Sequence, residues 1–164
     1  MIRANTKIGD IFSVKLDDNN KKYIQYVAKD LTQLNSDVIR AFKKVYSIES
    51  TPDLLEIVKG EVEFYAHCVT KWGVKLKLWE KVGNIDDIGK VEVFFRATND
   101  YGIKLGDKSI KISSNWHIWK INENFIRIGK LDDQYKNSFV GLVFNPKGII
   151  ELLKGEKYPS NYPQ

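Results

Sequence analysis

The sequence has little of what disulfide, metal and thiol chemistry require. Its 164 residues include one cysteine, one methionine, two histidines and four prolines. A single cysteine excludes an intrachain disulfide and favours a reducing compartment. Two histidines and one cysteine would also leave the remaining positions of a zinc site to carboxylates, which makes such a site a poor interpretation. We therefore expect no metal and no cofactor.

The sequence also lacks common catalytic motifs and long apolar runs. It contains no glycine-rich phosphate loop and no HExxH, GxSxG or CxxC motif, which removes the usual signatures of nucleotide, zinc, hydrolase and redox sites. No stretch approaches the roughly 18 apolar residues of a membrane span, and residues 1–12 have no signal-peptide core. These absences favour a cytoplasmic protein that is not an enzyme. An active site assembled from residues far apart in sequence stays open as an alternative.

What is present is typical of a globular chain. Hydrophobic residues make up 43% and charged residues 29%, which supplies enough apolar surface to offset the ordering entropy of a single domain over residues 1–164. The net charge is +5, from 26 Lys and Arg against 21 Asp and Glu. Because lysines are scattered over the whole length, this excess favours solubility and makes nucleic acid an unlikely partner.

Alternating apolar segments predict a sheet. Residues 8–30 indicate a β-hairpin that turns through DDNN, and VIRAFKKVY (38–46) favours a third strand. A further hairpin turn is predicted at Gly106 and Asp107. Five other segments have strand character: VEFYAHCV, KVEVFFRA, SIKIS, NWHIWKI and FVGLVF.

Two short amphipathic helices complete the pattern. LLEIVKG and IIELLKG each follow a proline and end at a glycine, which predicts helices near 52–59 and 146–154. The prolines within residues 157–164 predict an extended C-terminal tail. We therefore expect an α+β fold built on a mostly antiparallel, strongly twisted, barrel-like β-sheet.

Two kinds of polar pair suggest chemistry. His67 and Cys68 are neighbours, but adjacent side chains of a strand point to opposite faces, so a buried cysteine and a histidine at the rim are favoured over a nucleophile and its base. Asp pairs at 17–18, 86–87 and 132–133 could hold Mg²⁺ or Ca²⁺. Each pair lies where a strand should end, which favours turns over a metal site.

The four tryptophans occur in two short segments. If GVKLKLW (73–79) is extended, Lys75, Lys77 and Trp79 share one face. Such a face is typical of a solvated edge strand, and less often of a surface that stacks bases and contacts phosphates. NWHIWKI (115–121) is apolar on both faces, which predicts that its two tryptophans lie in the core on a central strand.

Five segments spread over most of the chain carry a family resemblance. They are KIGDIFSVKLDDNNKKYIQYV, DVIRAF, EVEFYAHCVTKWGVKLKLWEKVG, WHIWKIN and VFNPKGIIELLKGEKY. Through these segments the sequence resembles the immunity protein 26 family of bacterial polymorphic toxin systems. The resemblance implies a cytoplasmic protein that neutralises a cognate toxin protein by stoichiometric occlusion, without catalysis.

Binding of that kind relies on a few aromatic anchors inside a polar rim. We therefore expect the partner-binding residues to be Tyr65, Trp72, Lys75, Lys77 and Trp79, which combine aromatic area with fixed charge. The alternative is a nucleic-acid-binding module or a small toxin-barrel ribonuclease that uses the same lysines and Trp79. Immunity proteins against nucleases are commonly acidic, so the basic charge implies either another type of toxin or a local acidic patch formed by the Asp pairs.

Overall fold

The larger of the sheets has seven strands. A computed structural model describes residues 4–164. The strands are β1 (Asp10–Lys15), β2 (Asn20–Asp30), β3 (Ser36–Phe42), β4 (Tyr46–Ser47), β5 (Val62–Cys68), β6 (Trp79–Asn84) and β13 (Val143–Phe144). Six of them follow the order β13-β5-β3-β2-β1-β6, while β4 pairs with β2. The pair of β13 and β5 is parallel, and the other pairs are antiparallel.

A smaller sheet packs beside it. Its strands are β7 (Phe94–Thr98), β10 (Trp116–Lys120), β11 (Ile126–Gly129) and β12 (Phe139–Val140), in the order β11-β10-β7-β12. Here β12 runs parallel to β7. A separate hairpin joins β8 (Lys104–Leu105) to β9 (Lys108–Ser109), with Gly106 at a φ of 65° in its turn. The predicted turn at Gly106 and Asp107 is therefore confirmed.

Three short helices accompany the sheets: α1 (Leu54–Val58), α2 (Thr70–Lys75) and α3 (Pro146–Leu153). The Asp53 side chain caps α1 by accepting from the Leu55 N–H, and Asn145 caps α3 by accepting from the Gly148 N–H. These two helices confirm the prediction. The helix α2 was not predicted, and it includes the first residues of the segment 73–79 that was considered as extended.

The larger sheet is covered on both faces, which explains why β2 and β3 are buried along almost their whole length. One face packs against α3 through Phe12, Ile39 and Ile149. The opposite face packs against α1 at one end, around Ile57. At the other end of that face lies the smaller sheet, with Trp119 in the contact.

The α+β class is confirmed, but the barrel-like closure is wrong. Strands β6 and β13 are the two ends of an open sheet, and both sheets mix parallel with antiparallel pairs. The reason lies in FVGLVF, which was predicted as one strand. Its first half joins the smaller sheet as β12, and its second half joins the larger sheet as β13. The crossing point is Gly141.

The C-terminal residues 157–164 bend and turn, although an extended tail was predicted. Tyr162 is 5% exposed, and its ring lies 5.9 Å from the Trp116 ring. The backbone of Gln164 exchanges hydrogen bonds with Lys111 and Ser113. This segment therefore packs against the region around the smaller sheet.

Candidate functional site

The helix α2 is fixed by a buried carboxylate that periodicity does not reveal. Asp37 accepts hydrogen bonds from the backbone N–H and the hydroxyl of Thr70, at 2.8 and 2.6 Å. These bonds satisfy groups at the first turn, where a helix has unpaired donors. Residues 70–75 are therefore helical, and the helix includes only the first two residues of the alternating segment VKLKLW (74–79).

The C-terminal end of α2 is a Schellman motif with an unusual residue. The Leu78 N–H donates to the Gly73 carbonyl at 2.8 Å, and the Lys77 N–H donates to the Val74 carbonyl at 3.0 Å. Lys77 has a φ of 57°. Glycine or asparagine usually fills this position, because a side chain is strained in the left-handed region.

The helix exposes one tryptophan. Trp72 is 48% exposed and Leu76 is 55% exposed, and their spacing of four residues places them on one helix face. The Lys75 ammonium lies 5.0 Å from the Trp72 ring. We call Trp72, Lys75 and Leu76 the Trp72 face. It joins aromatic area, aliphatic area and positive charge, as predicted for Trp72 and Lys75. Leu76 was not predicted.

Trp79 does not lie on that face, so the expectation that it is exposed is wrong. It is 4% exposed, and its indole N–H donates to the Thr70 carbonyl at 3.0 Å. Its ring lies against Gly73 so closely that a Cβ there would be 1.8 Å from it. The base-stacking surface predicted from Lys75, Lys77 and Trp79 therefore loses its aromatic member.

Tyr65 lies apart from the other predicted residues. It is on β5 and half-buried, with its ring 5.4 Å from Phe139 in an edge-on contact. Its side chain faces the smaller sheet, whereas Trp79 packs on the opposite face of the larger sheet. The structure thus brings Trp72 and Lys75 together and does not bring Tyr65 to them.

A basic groove lies next to α2. Its volume is about 490 Å³. Four lysines line it: Lys15, Lys21, Lys77 and Lys81. The remaining lining residues are Ser13, Ile48, Val74, Leu78, Trp79 and Glu80. Of the predicted site residues, Lys77 and Trp79 are therefore part of this groove, and the other three lysines were not predicted.

Two of these lysines have partners. The Lys21 ammonium donates to the carbonyls of Ile48 and Ser50, at 3.1 and 2.5 Å. The Lys81 ammonium lies 2.8 Å from the buried carboxylate of Asp10. Hydrogen bonds from Lys81 and the backbone of Lys7 oppose the effect of burial and hold the Asp10 pKa below its usual value. Lys21 and Lys81 are therefore held in place by these partners, although Lys81 is exposed, as are Lys15 and Lys77.

A buried polar cluster joins the two sheets. One oxygen of Asp30 accepts hydrogen bonds from His67 Nε2 at 2.8 Å and from the Trp119 indole N–H at 3.0 Å. Its other oxygen accepts from the Asn122 N–H at 3.2 Å. Both Asp30 and His67 are 0% exposed. We call Asp30, His67 and Trp119 the inter-sheet clamp.

The electrostatics of the clamp keep its charge on Asp30. Burial lowers the His67 pKa, and the nearby Asp30 carboxylate only partly opposes this. Burial alone would raise the Asp30 pKa, but the bonds from His67, Trp119 and Asn122 outweigh it and the pKa is lowered. His67 is therefore a neutral donor to an ionised carboxylate at neutral pH. His67 Nδ1 has no hydrogen-bond partner within the described part of the chain.

His67 and Cys68 do not form a nucleophile and base pair. They lie on opposite faces of β5, where His67 contacts Phe95 of the smaller sheet and Cys68 packs in the cluster around Phe12. Burial raises the pKa of the Cys68 thiol, which disfavours the reactive thiolate. The strand alternation is as predicted, but the placement of His67 at a rim is wrong.

Two of the three Asp pairs serve turns, whereas Asp86 and Asp87 lie in a segment without regular structure, where the predicted turn is wrong. Asp17 accepts from the N–H groups of Asn19 and Asn20 at 2.8 and 2.7 Å, and Asp132 accepts from the N–H groups of Gln134 and Tyr135. Among residues 4–164, no group of three or more His, Cys, Asp and Glu side chains is placed to hold a metal ion. Each helix in the same range is too short or too polar to traverse a bilayer.

The chain matches no protein-family model, and no curated protein or solved structure is significantly similar to it. The resemblance to the immunity protein 26 family therefore stays a prediction. The candidate site is defined by its own geometry: an exposed aromatic face on α2, with a basic groove at the end of that helix.

Proposed function

We propose that this chain is a non-catalytic binding protein that neutralises a cognate bacterial toxin by covering it, and that the Trp72 face contacts the toxin. One observation carries the proposal. Trp72 is 48% exposed, while Trp79, Trp116 and Trp119 are each 4% exposed or less. A fold that buries its other tryptophans leaves this one in water.

The physical basis is the distribution of energy in protein interfaces. Trp residues are enriched among the few side chains that dominate binding, because each buries a large area with little loss of side-chain freedom. Leu76 extends the apolar area next to Trp72, and Lys75 adds a positive charge above the ring. The complementary surface on the toxin is an apolar pocket with an acidic rim.

The surroundings of His67 and Cys68 support binding over catalysis. The cysteine and histidine that could have formed a catalytic pair are separated by the sheet and fully buried, and neither lines the basic groove. The toxin as a partner comes from the family resemblance of residues 7–27 and 61–83, and α2 lies within the second of these segments.

Growth protection tests the proposal. The reading frames next to the gene are first searched for a toxin domain, and the chain is then co-expressed with such a domain under conditions where that domain alone stops growth. We expect wild type to restore growth and Trp72→Ala to lose protection while remaining soluble. Phe125→Ala is the matched control, because Phe125 is 45% exposed and directly precedes β11, with its ring 5.0 Å from the His117 ring of the smaller sheet.

Two results would contradict the proposal. One is an adjacent toxin domain that kills equally with and without the wild-type chain. The other is quenching of Trp72 fluorescence by single-stranded RNA at low salt that disappears at high salt, because this would indicate the nucleic-acid-binding alternative.

A further inference from the structure

Two features of the basic groove reduce the stability of the fold locally. The first is the backbone of Lys77, which has a φ of 57° at a position where glycine is strain-free. The residue keeps a long charged side chain at the wall of the groove. Strained backbone that persists is typical of sites where the side chain has a role.

The second feature is a pair of like charges. Lys15 on β1 lies directly opposite Lys21 on β2, in the last pair of the hairpin. Directly opposed like charges destabilise a strand pair. The Lys21 ammonium is held by two backbone carbonyls, so it cannot swing freely away from the groove.

The charge balance of the groove defines its ligand. Four lysines and Glu80 line the groove, and Asp10 beside Lys81 adds a second carboxylate, which leaves two positive charges. A phosphate monoester carries a charge of about −1.5 to −2 at neutral pH and offers three acceptor oxygens. One such group therefore matches the excess, whereas a carboxylate would leave a positive charge unpaired.

The shape and lining of the groove fit a small molecule with an apolar part. Its volume of about 490 Å³ lies within the range of ligand pockets. Val74, Leu78 and Ile48 provide apolar lining between the lysines. Lysine is a compact point charge that commonly binds phosphate.

We propose that the basic groove binds a phosphate monoester, with Lys15 and Lys77 as the mobile cationic contacts and Lys21 and Lys81 as the fixed ones. The lining of the groove includes no residue of the Trp72 face, so this proposal does not depend on toxin binding. Inorganic phosphate and the phosphate of a mononucleotide present the same chemistry to these lysines.

Calorimetric titration of the whole chain tests the site. The probes are inorganic phosphate, AMP, adenosine and a single-stranded RNA with no terminal phosphate. We expect saturable one-to-one binding of AMP that weakens as salt rises, and no binding of adenosine. Binding of phosphate as strong as that of AMP would assign the site to the phosphate group alone. AMP binding stronger than phosphate binding would add a contact of the nucleoside with the apolar lining.

Lys77→Gly gives a test in which loss of fold cannot mimic loss of function. The substitution relieves the backbone strain, so it should raise Tm by about 2 to 4 °C while weakening AMP binding at least about tenfold. Lys15→Gln should weaken binding to a similar extent. Asn35→Gly is the backbone control, because Asn35 is exposed and also has a positive φ of 44°. Lys130→Gln is the charge control on an exposed lysine next to the smaller sheet.

Three results would overturn the proposal. The first is absence of binding by both phosphate and AMP. The second is unchanged AMP affinity in Lys77→Gly and Lys15→Gln. The third is binding of the RNA without any binding of AMP, because the groove would then recognise a polyanionic chain.

Discussion

Compared with residues 115–121, where both tryptophans are buried and hydrogen-bonded, residues 70–84 use their two tryptophans differently. On β10 the Trp116 indole donates to the Ser113 carbonyl and the Trp119 indole donates to Asp30. On the other segment Trp79 is equally buried, but Trp72 lies half in water. In residues 115–121 both indole N–H groups are hydrogen-bonded inside the protein. Residues 70–84 instead combine an exposed tryptophan with a lysine in a strained backbone conformation.

The difference shows how one residue type serves stability and recognition in the same chain. In the inter-sheet clamp each oxygen of Asp30 accepts a hydrogen bond, so breaking the clamp should strongly lower the free energy of unfolding. The Trp72 face and the four lysines of the basic groove lie outside the hydrophobic core clusters. We therefore expect substitutions in the clamp to change the free energy of unfolding, and substitutions around α2 to change binding.

Asp30→Ala should give the largest effect. It removes the acceptor for His67 Nε2, the Trp119 indole and the Asn122 N–H, all inside the protein. We expect the free energy of unfolding to fall by about 3 to 5 kcal/mol, measured by urea denaturation. Asp132→Ala, which removes an exposed turn carboxylate, should cost about 1 kcal/mol or less. Equal losses in the two variants would show that the clamp does not stabilise the fold.

The same substitution, glycine to alanine, can be made next to a buried tryptophan in each of the two regions. A Cβ at Gly141 would lie 2.1 Å from the Trp119 ring, and one at Gly73 would lie 1.8 Å from the Trp79 ring. We expect Gly141→Ala to cost about 3 kcal/mol, because Trp119 is held between two sheets. Gly73→Ala should cost about 2 kcal/mol, because Trp79 is buried and Asp37 holds α2 in place, while the helix preference of alanine offsets part of the clash. A larger loss for Gly73→Ala than for Gly141→Ala would reverse the comparison.

The clamp also predicts a pH dependence of stability. The His67 pKa is lowered in the folded state, so below about pH 6.5 the unfolded chain binds a proton that the folded chain does not. The free energy of unfolding should therefore fall with decreasing pH, by up to about 1.4 kcal/mol per pH unit for this group. It falls again in acid as the unfolded chain protonates Asp30, whose folded pKa is also lowered.

His117 also contributes, because burial and the nearby Arg127 lower its pKa. The variant His67→Gln separates the contribution of His67 from that of His117. Glutamine keeps a donor for Asp30 and does not titrate. Urea denaturation between pH 7 and pH 5 should show a shallower slope in this variant than in wild type. An unchanged slope would place the titration elsewhere.

Trp72→Ala should have the smallest effect on stability. Trp72 contributes half-exposed area and a contact with the exposed Lys75, so we expect a loss of about 1 kcal/mol or less. The variant should also lose the fluorescence component that iodide quenches in wild type, because the other three tryptophans are shielded. Quenching that persists unchanged in the variant would contradict the burial of Trp79.

Local patterns predicted much of the fold. The hairpin of β1 and β2, the central strand β10 and the helices α1 and α3 each carry their signal within a short segment: alternation, two apolar faces, or a cap with a proline. Their boundaries differ by a few residues. The α+β class followed from these elements, because their number and spacing leave few other architectures.

Long-range contacts account for what the sequence did not reveal. The helix α2 depends on Asp37, 33 residues from Thr70. The split of FVGLVF at Gly141 depends on the position of the Trp119 ring. The inter-sheet clamp joins residues 37 and 89 positions apart. Trp72 was predicted as a contact residue, but the groove that joins Lys15 to Lys77 has no signal in local periodicity.

The affinity of the chain for a toxin domain from which it protects cells, measured for wild type, Trp72→Ala and Phe125→Ala, tests the central contrast most directly. If the Trp72 face is the anchor, Trp72→Ala weakens binding by about 30-fold or more, while its unfolding free energy and the affinity of Phe125→Ala stay close to wild type. If Trp72→Ala binds the toxin domain as tightly as wild type, the exposed tryptophan is not the contact and the account is contradicted.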